Sequence, residues 1–392
     1  MLAGCERALA LIDLDAVCRN VARLKASLPA ATRLCAVVKA NGYGHGAVPV
    51  AAAALRGGAS WLGVATVDEA EELRAAGFIA PVLIFAPLTG VELARAVAAD
   101  ADVAVWSASF LAAACKLGAR MHIKFDSGMG RLGVDAATAL ALAAVAAASA
   151  PAASSDAVPA ASSDAEPARL VGLMSHFATA ADEDPAFFDE QLARFTALAT
   201  EMKAIYPGLI AHTANSAAML REPRSHFDMV RTGIAIYGLS PFNTDPDLDV
   251  LEPALRLSSY VAGIREVQAG DSVGYGRRFI ADGPARLAIV PIGYADGVCR
   301  ALTNRGDVLI DGRRCRISGT ISMDQLTVLL PEGHGKAGDE VVFIGRSGGE
   351  RLLCEETARL LDTINYEIVC DVGERVLRRY VGVGAADDAD GV

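Results

Sequence analysis

The chain has 392 residues, more than one domain usually holds, so we expect a large domain and a smaller one with ample material for a buried core. It carries 36 Lys and Arg against 47 Asp and Glu, a net charge of -11 without a dense basic segment, which argues against nucleic acid as a partner. The eight cysteines show neither close pairs nor zinc-ligand spacing, and no secretory leader is recognisable. We therefore expect a cytoplasmic protein with reduced thiols and no metal site.

The positive mean hydropathy, +0.33, comes largely from alanine in helical stretches. The most apolar run, ATALALAAVAAASAPAA at 137–153, is shorter than a membrane-spanning helix requires and contains a proline near its end. The sequence therefore predicts a soluble helix there and no contact with a membrane.

Short β-branched runs alternate with amphipathic helical segments through the first two thirds of the chain. Eight such runs begin near residues 34, 61, 81, 102, 121, 170, 209 and 229. Nearly continuous apolar strands, covered on both faces by helices and repeated eight times, are typical of a (β/α)8 barrel. We predict an α/β fold with this barrel over 13–245.

The last third of the chain has a different sequence pattern. Gly-rich turns separate strand-like pieces, and only one clear helical segment appears, CEETARLLDTI at 354–364. We predict a mainly β domain made of 1–12 and 246–382, with the first strand of the chain crossing over to join it, and an acidic tail at 383–392.

One segment belongs to neither domain. Residues 149–168 contain PAASSDA twice, and this Pro, Ala, Ser and Asp composition buries too little apolar surface to order itself. We predict a flexible surface insertion between barrel strands five and six.

In such a barrel the chemistry lies at the C-terminal ends of the strands, and the loops after strands seven and eight often bind phosphate. Applied to the predicted strands, this rule selects an amine, two guanidinium groups, an imidazole, an amide, a hydroxyl and two positions in the eighth strand: Lys39, Arg131, His176, Asn215, Ser216, Arg231, Gly233 and Ile234. Lys39 closes an apolar strand. A lysine there either reaches solvent or lies desolvated, where it can act as nucleophile or base. A phosphate-bearing carbonyl cofactor would use both the amine and the phosphate subsite.

Nine motifs carry a resemblance to a known family. They are AVVKANGYGHG (36–46), KFDSGMGRLGV (124–134), MSHFA (174–178), HTANSAA (212–218), RTGIAIYGLSP (231–241), VGYGRRF (273–279), VPIGYADG (290–297), SMDQ (322–325) and INYE (364–367). In this order the chain resembles the bacterial alanine racemases over nearly its whole length. The resemblance implies a fold type III pyridoxal 5'-phosphate (PLP) enzyme that interconverts L- and D-alanine and supplies D-alanine for peptidoglycan. It also implies a homodimer whose active sites are shared across the interface.

The resemblance implies two bases. Lys39 would hold PLP as a Schiff base and act on the D-alanine face, whereas Tyr275 of the partner subunit would act on the L-alanine face. Racemisation requires such a pair because a proton leaves one face of Cα and returns to the other. Read without the other motifs, Tyr275 is a turn tyrosine in a Gly-rich hairpin.

The resemblance also implies the cofactor contacts. Arg231 matches the partner of the pyridine nitrogen, and because a guanidinium has no proton to give at physiological pH, reprotonation is favoured over transamination. His176 matches the residue that orients Arg231. The implied phosphate contacts are Tyr43, Ser216, Gly233, Ile234 and Tyr366, with Asn215 supporting their loop.

The implied substrate contacts come from both domains. Arg131 and the backbone N–H of Met323 would face the substrate carboxylate, while Tyr294 and Asp324 would narrow the entrance. Lys124, in the K-x-D-x-G-M-G-R segment, would be carbamylated, which turns a cation into an anion that fixes Arg131. Ser127 and Ser322 stand where the family more often has other residues, and neither removes a group that the mechanism needs.

Other interpretations remain open beside alanine racemisation. One is a PLP-dependent racemase of serine or a larger amino acid. Another is a non-catalytic PLP-binding homeostasis protein, against which Tyr275, Met323 and Tyr366 argue. A PLP decarboxylase of related fold is a third, and Arg231 argues against it because a long-lived carbanion favours an acidic partner at the ring nitrogen.

Overall fold

The computed structural model describes residues 6–149 and 169–382, so the predicted insertion, apart from Ser149, and the predicted acidic tail lie outside the described residues. The chain divides into two units. The barrel unit comprises Val21–Ala40 and Ala54–Ile236, and the β unit comprises Met1–Asn20, Asn41–Ala53 and Tyr237–Val392.

Eight parallel strands form the sheet of the barrel unit. They follow β1 (Leu9–Asp13) and are β2 (Arg33–Val37), β3 (Trp61–Val64), β4 (Val82–Ile84), β5 (Ala101–Val105), β6 (Arg120–Lys124), β7 (Arg169–Met174), β8 (Ile210–His212) and β9 (Met229–Thr232). Neighbours in the chain pair with one another from β2 to β8, and β9 pairs with β2. Backbone hydrogen bonds from Asp228 N to Ala211 O (3.0 Å) and from Arg231 N to Ala214 O (2.9 Å) link the segments of β8 and β9. The predicted (β/α)8 barrel is confirmed.

Helices connect these strands, as the amphipathic segments predict. They are α1 (Leu14–Ala26), α2 (Lys39–Tyr43), α3 (Ala47–Arg56), α4 (Val67–Ala75), α5 (Gly90–Ala98), α6 (Ala108–Lys116), α7 (Ala136–Ala148), α8 (Ala186–Ile205) and α9 (Ser216–Arg221). Thr66 and Thr89 begin α4 and α5 with capping boxes, in which a threonine and a glutamate satisfy each other's backbone N–H groups. Among the described residues, no helix combines the length and the apolar character needed to cross a membrane.

The interior of the barrel is mostly apolar. One buried cluster takes a residue from most of the strands and consists of Cys35, Trp61, Leu83, Ala104, Met174, Ile210 and Met229. All five residues of β5 are buried, which is why this strand is apolar apart from Asp102 and does not alternate between apolar and polar residues. The packing fixes the strands, and the strand ends then carry the polar side chains considered below.

The described residues of the β unit form three sheets. Its remaining strands are β10 (Leu255–Tyr260), β11 (Gly263–Val267), β12 (Ser272–Val273), β13 (Phe279–Ile280), β14 (Ala285–Val290), β15 (Asp307–Ile310), β16 (Arg313–Arg316), β17 (Leu326–Leu330), β18 (Glu340–Ser347), β19 (Glu350–Leu352) and β20 (Leu377–Val381). A seven-stranded sheet has the order β16-β15-β18-β10-β1-β20 with β19 beside β18, and the others are β11-β14-β17 and the hairpin β12-β13. The N-terminal strand β1 pairs with β10 and β20.

The β unit also has two helices near its end where the sequence indicates one. The predicted segment forms α10 (Cys354–Leu361), which ends at Asp362 in a left-handed conformation, and α11 (Asn365–Cys370) follows. The indicated segment is therefore helical, and α11 is an additional helix that the sequence pattern did not indicate. With six residues, α11 is too short to show a helical period of apolar positions.

Candidate active site

The predicted barrel residues lie at or just beyond strand ends. Lys39 follows β2, Lys124 ends β6, and Arg231 lies in β9. His176 follows β7, and Asn215 and Ser216 follow β8. Gly233 lies just after β9 rather than within it, and Ile234 begins a 3-10 turn, because β9 ends at Thr232.

Arg231 is the most constrained of these side chains. It is 5 % exposed, and its Nη1 donates to Nδ1 (2.8 Å) and the carbonyl oxygen (3.0 Å) of His212. Its Nη2 donates to the carbonyl oxygens of Ser175 (2.7 Å) and Thr213 (3.1 Å) and lies 3.2 Å from Nδ1 of His176. Within the described parts of the chain these are its hydrogen bonds, so Nε–H is the donor left for a ligand. Burial lowers the pKa of Arg231 to about 10, and the group remains charged at neutral pH.

His176 lies among cations. Its pKa is held well below the usual value, first by burial and then by the positive charges of Arg231, Lys124, Arg131 and Lys39. The imidazole is therefore neutral at neutral pH and its Nδ1 can accept from Arg231. Four cationic side chains act on one imidazole, which places them in a single electropositive cluster suited to an anionic ligand.

Lys124 is buried in this cluster. Burial lowers its pKa well below the usual value, Arg231 and Arg131 lower it further, and Asp126 opposes them. Asp126 in turn accepts from the backbone N–H groups of Gly128 (2.9 Å) and Gly130 (3.0 Å), which shapes the turn that carries the exposed Arg131. These surroundings favour the unprotonated form of the Lys124 amine.

Lys39 begins a turn of unusual handedness. Ala40, Asn41, Gly42 and Tyr43 have φ between 50° and 59°, so α2 is a left-handed turn. Such a turn costs about 1–2 kcal/mol for each residue other than glycine. Glu69 accepts from the N–H of Ala40 (2.6 Å), and Asn41 Oδ1 accepts from the N–H of Ala47 (3.0 Å). Backbone strain at a predicted active-site lysine is held by hydrogen bonds at both ends.

The loops after β8 and β9 meet as expected. The hydroxyl oxygen of the buried Ser216 accepts from the N–H of Gly233 (3.1 Å) and Ala235 (3.4 Å). Its own proton is then available to an acceptor such as a phosphate oxygen. Asn215 caps α9 by accepting from the N–H of Ala218 at 3.0 Å, which is a supporting position.

In the β unit, Tyr43 and Tyr366 lie in one aromatic group. Their ring centroids are 6.0 Å apart, and Tyr43 also packs on Tyr237 at 5.0 Å. Burial raises the pKa of Tyr366 to about 12, so its hydroxyl stays protonated and acts as a hydrogen-bond donor.

The other predicted residues of the β unit are exposed on neighbouring loops. Tyr275 is 74 %, Tyr294 42 % and Met323 50 % exposed. Thr320 donates its hydroxyl to the carbonyl oxygen of Tyr275 (2.6 Å), and the N–H of Tyr294 donates to the carbonyl oxygen of Ser322 (3.1 Å). The loops at 275, 294 and 322–324 are therefore held together and present large side chains to solvent, which is typical of an interaction surface.

Two sets of polar residues that the sequence patterns did not indicate support the site. One set holds the exposed loops of the β unit, and the other lies behind Arg231 in the barrel unit. The fully buried Asp296 accepts from Arg7 (2.6 Å) and Arg375 (2.7 Å), and Arg375 also donates to Asp324 (2.7 Å). In the barrel unit, Asp102 and two histidines, His122 and His212, lie in the interior behind Arg231. Their only signal in the sequence is a polar residue in an otherwise apolar strand.

The described residues contain no cluster of His, Cys, Asp and Glu that could hold a metal ion. Amine, guanidinium and hydroxyl groups instead lie together at the strand ends. These groups suit an anionic organic ligand rather than a cation.

Comparisons with known proteins agree with this arrangement. The sequence profile for "Alanine racemase, N-terminal domain" matches residues 12–241, and the profile for "Alanine racemase, C-terminal domain" matches residues 254–380. The alanine racemase of Frankia casuarinae is 42 % identical over 96 % of both chains. The crystal structure of alanine racemase from D-cycloserine producing Streptomyces lavendulae is 39 % identical over 96 % of this chain and 97 % of that chain, with a TM-score of 0.85. That from Bacillus anthracis with bound L-Ala-P is 36 % identical over 97 % of this chain and 96 % of that one, with a TM-score of 0.85.

The (β/α)8 barrel, the β domain and these matches place the chain among the amino-acid racemases. Both sequence profiles and the full-length relatives then specify the family. The chain belongs to the alanine racemases.

Proposed function

We propose that this racemase interconverts L- and D-alanine with pyridoxal 5'-phosphate as cofactor, and that Lys39 and Tyr275 of the partner subunit are its two bases. The observation that carries the proposal is Arg231, whose terminal nitrogens are all engaged within the barrel unit while its Nε–H remains for a ligand. A charged donor that keeps its own proton suits a ring nitrogen that is to stay unprotonated.

The residues present fit this cofactor. When bound, PLP supplies an electron sink that acidifies the Cα–H of an amino acid. Lys39 would hold it covalently, Arg231 would donate to the pyridine nitrogen, and His176 would keep the guanidinium in place. The hydroxyl of Ser216, the backbone N–H groups of Gly233 and Ile234, and the hydroxyls of Tyr43 and Tyr366 would bind its phosphate, with Asn215 supporting the loop. The electropositive cluster around His176 supports an anionic group of this kind.

The two bases act on opposite faces of one carbon. Lys39 would remove or return the proton on the D-alanine face, and Tyr275 would do so on the L-alanine face. The exposure of Tyr275 and Met323 within a single chain supports their action in a partner's site. We therefore propose a homodimer in which each active site is completed by the partner subunit.

The substrate contacts follow from the same loops. Arg131 and the backbone N–H of Met323 would bind the carboxylate of alanine, and Tyr294 and Asp324 would narrow the entrance so that a small side chain is favoured. We propose that residues 13–245 are the cofactor-binding barrel domain and that residues 1–12 and 246–382 are the β domain, which completes the active site of the partner subunit. We also propose that the enzyme serves peptidoglycan synthesis in the cytoplasm.

Lys124 is proposed to be carbamylated. Only an unprotonated amine reacts with carbon dioxide, and burial among Arg231 and Arg131 favours that form. The resulting carbamate anion would accept hydrogen bonds from Arg131. A buried amine would thereby be replaced by a negatively charged partner for the guanidinium groups of Arg131 and Arg231. Intact-mass measurement of the native protein should show the added mass of one carbon dioxide, lost in Lys124→Gln, and an unmodified mass would contradict it.

One assay tests the function. Purified protein with PLP is incubated in deuterium oxide with L-alanine and, separately, with L-serine, and both D-enantiomer and deuterium at Cα are measured. D-alanine with deuterium at Cα is expected, with much less D-serine. Active D-serine formation without D-alanine would favour a serine racemase, and no exchange in PLP-loaded protein would favour a non-catalytic PLP-binding protein.

A further inference from the structure

A chain of hydrogen bonds runs through the interior of the barrel unit behind Arg231. Nδ1 of His212 lies 2.8 Å from Nη1 of Arg231, and Nε2 of His212 lies 2.9 Å from Nδ1 of His122. Nε2 of His122 then lies 3.1 Å from Oδ2 of Asp102. We call Asp102, His122 and His212 the interior relay, and all three are at most 1 % exposed.

The direction of each bond in the interior relay is determined by its ends. A guanidinium only donates, so Nδ1 of His212 accepts from Arg231. Burial and then the charge of Arg231 hold the pKa of His212 well below its usual value, so the ring is neutral and carries its proton on Nε2. That proton is donated to Nδ1 of His122, and Nε2–H of His122 is donated to the carboxylate of Asp102.

Asp102 is ionised in this series of hydrogen bonds. Burial alone would raise its pKa, but His122 and Arg120 outweigh burial and the pKa lies below the usual value. Arg120 binds the second carboxylate oxygen at 2.6 Å and reaches the exposed Asp100 with another nitrogen. The interior relay thus connects a buried negative charge to the buried positive charge of Arg231.

The barrel leaves specific room for His122. β6 pairs with β7 through an irregularity at Met121/His122, which brings Gly172 opposite His122. A Cβ at position 172 would lie 2.3 Å from Nδ1 of His122, so the ring fits only because that position is glycine. Trp61 packs against the edge of the same ring, with centroids 5.7 Å apart.

Stability alone does not account for this arrangement. Barrel interiors are usually filled with apolar side chains, as the neighbouring cluster around Leu83 and Met229 is here. Replacing a buried ionic network by apolar residues is often neutral or stabilising. The interior relay does have a consequence at the ligand: a carboxylate that polarises two imidazoles makes Nδ1 of His212 a stronger acceptor and holds Nη1 of Arg231.

We infer that Asp102, His122 and His212 are positioning residues for the reaction, because the interior relay fixes the guanidinium plane of Arg231 and with it the direction in which Nε–H faces the cofactor. The inference rests on the proposed function. None of the three contacts substrate or cofactor in this account, and each acts through Arg231.

The test compares Asp102→Asn with Asp100→Asn in the full-length, PLP-loaded enzyme. Asp102→Asn removes the charge at the end of the interior relay while keeping an oxygen acceptor, and Asp100→Asn removes the exposed carboxylate on the same arginine, Arg120. We expect kcat of Asp102→Asn to fall about tenfold or more, by analogy with the loss of carboxylate partners behind metal-bound histidines, with the KM for alanine unchanged. Asp100→Asn should keep the wild-type kcat.

A second measurement detects the hydrogen bonds of the interior relay without an activity assay. The chain has six histidines, so isotope-labelled histidine gives a simple proton–nitrogen NMR spectrum in which the imidazole N–H of His122 and His212 are assigned by substitution. Asp102→Asn should move both resonances upfield because the hydrogen bonds weaken, and Asp100→Asn should move neither.

Two results would overturn the inference. A wild-type kcat in Asp102→Asn would show that the interior relay is purely structural, and unmoved resonances would show that Asp102 does not act on His212. If Asp102→Asn does not fold, His122→Gln interrupts the interior relay one link nearer Arg231 and is judged by the same results. Absence of D-alanine from the wild-type enzyme would instead overturn the proposed function, and the inference with it.

Discussion

Individual side chains in this protein are held by partners that lie far away in the sequence. Arg231 contacts groups contributed by β8, by the loop after β7 and by Thr213, and Asp296 bridges Arg7 and Arg375. Lys39 and Arg231 could be selected from the sequence because they stand at strand ends. Asp102 could not, because its partners lie on other strands and a single sequence does not show which strands become neighbours.

The first prediction concerns Arg375, which donates to Asp324 and to the carbonyl oxygen of Met323. Arg375→Met removes these bonds, so the loop that is proposed to bind the substrate carboxylate should be less well ordered. We expect the KM for alanine to rise several-fold with kcat nearly unchanged. Asp296 keeps Arg7 and the N–H of Gly293, so the loss of stability should be small.

Steady-state kinetics and thermal unfolding measure these two effects. Arg379→Met is the matched control, since Arg379 is an exposed arginine of the β unit whose carboxylate partner is Glu6. An unchanged KM in Arg375→Met, or an equal rise in Arg379→Met, would contradict the role given to Arg375.

At the scale of elements, the turn after β2 shows where sequence patterns stop being informative. Its glycines predict a tight turn, and the structure has one. The left-handed conformation nevertheless extends through Ala40, Asn41 and Tyr43, which are not glycine. Residue preferences argue against that conformation. It persists because Glu69 accepts from the N–H of Ala40, Asn41 Oδ1 accepts from the N–H of Ala47, and backbone hydrogen bonds close the turn.

Gly44 provides a test of this turn. It has φ of 79°, and a Cβ there would lie 2.1 Å from the carbonyl oxygen of Val369. Gly44→Ala should therefore lower the free energy of unfolding by more than the 1–2 kcal/mol or so of left-handed strain alone. Gly77→Ala is the control, because Gly77 has φ of 84° but nothing within 4 Å of the added methyl. Urea unfolding compares the two, and equal losses would show that the contact with Val369 is unimportant.

At the scale of the whole molecule, three buried histidines connect folding to pH. Burial lowers the pKa of His45 to about 4 and holds those of His176 and His212 well below the usual value. The unfolded chain binds protons on all three below about pH 6.5, whereas the folded chain does not. The contribution of these three histidines to stability should therefore be constant above about pH 6.5 and fall as the pH drops below it, by up to about 1.4 kcal/mol per pH unit for each histidine.

Urea unfolding at pH 7.5, 6.5 and 5.5, conditions chosen to bracket the usual histidine pKa of about 6.5, measures this slope. His45→Gln removes one of the three histidines and should reduce the slope. A stability that rises on acidification through this range would contradict the assignment of neutral buried histidines.

The proposed dimer makes its own prediction. Lys39→Ala and Tyr275→Phe chains should each be nearly inactive, but a co-expressed mixture should recover activity. If each site takes Lys39 from one subunit and Tyr275 from the other, random assortment restores about a quarter of the sites. Recovery is measured after both tagged chains are purified together. No recovery from confirmed mixed dimers would place both bases in one chain.

How far the sequence predicts this molecule depends on the range of the interaction. The barrel, the β domain and the strand-end residues follow from local patterns and motifs. The second helix near the C-terminus, the left-handed turn and the interior relay depend on short segments or on partners from distant strands, which local patterns do not specify.

The central claim is that two different residues move the proton on the two faces of Cα. The most direct measurement gives D-alanine to PLP-loaded Tyr275→Phe in deuterium oxide and follows Cα deuterium and L-alanine separately. Lys39 should still exchange the proton of D-alanine for deuterium, while almost no L-alanine forms. Formation of L-alanine at the wild-type rate would contradict this claim.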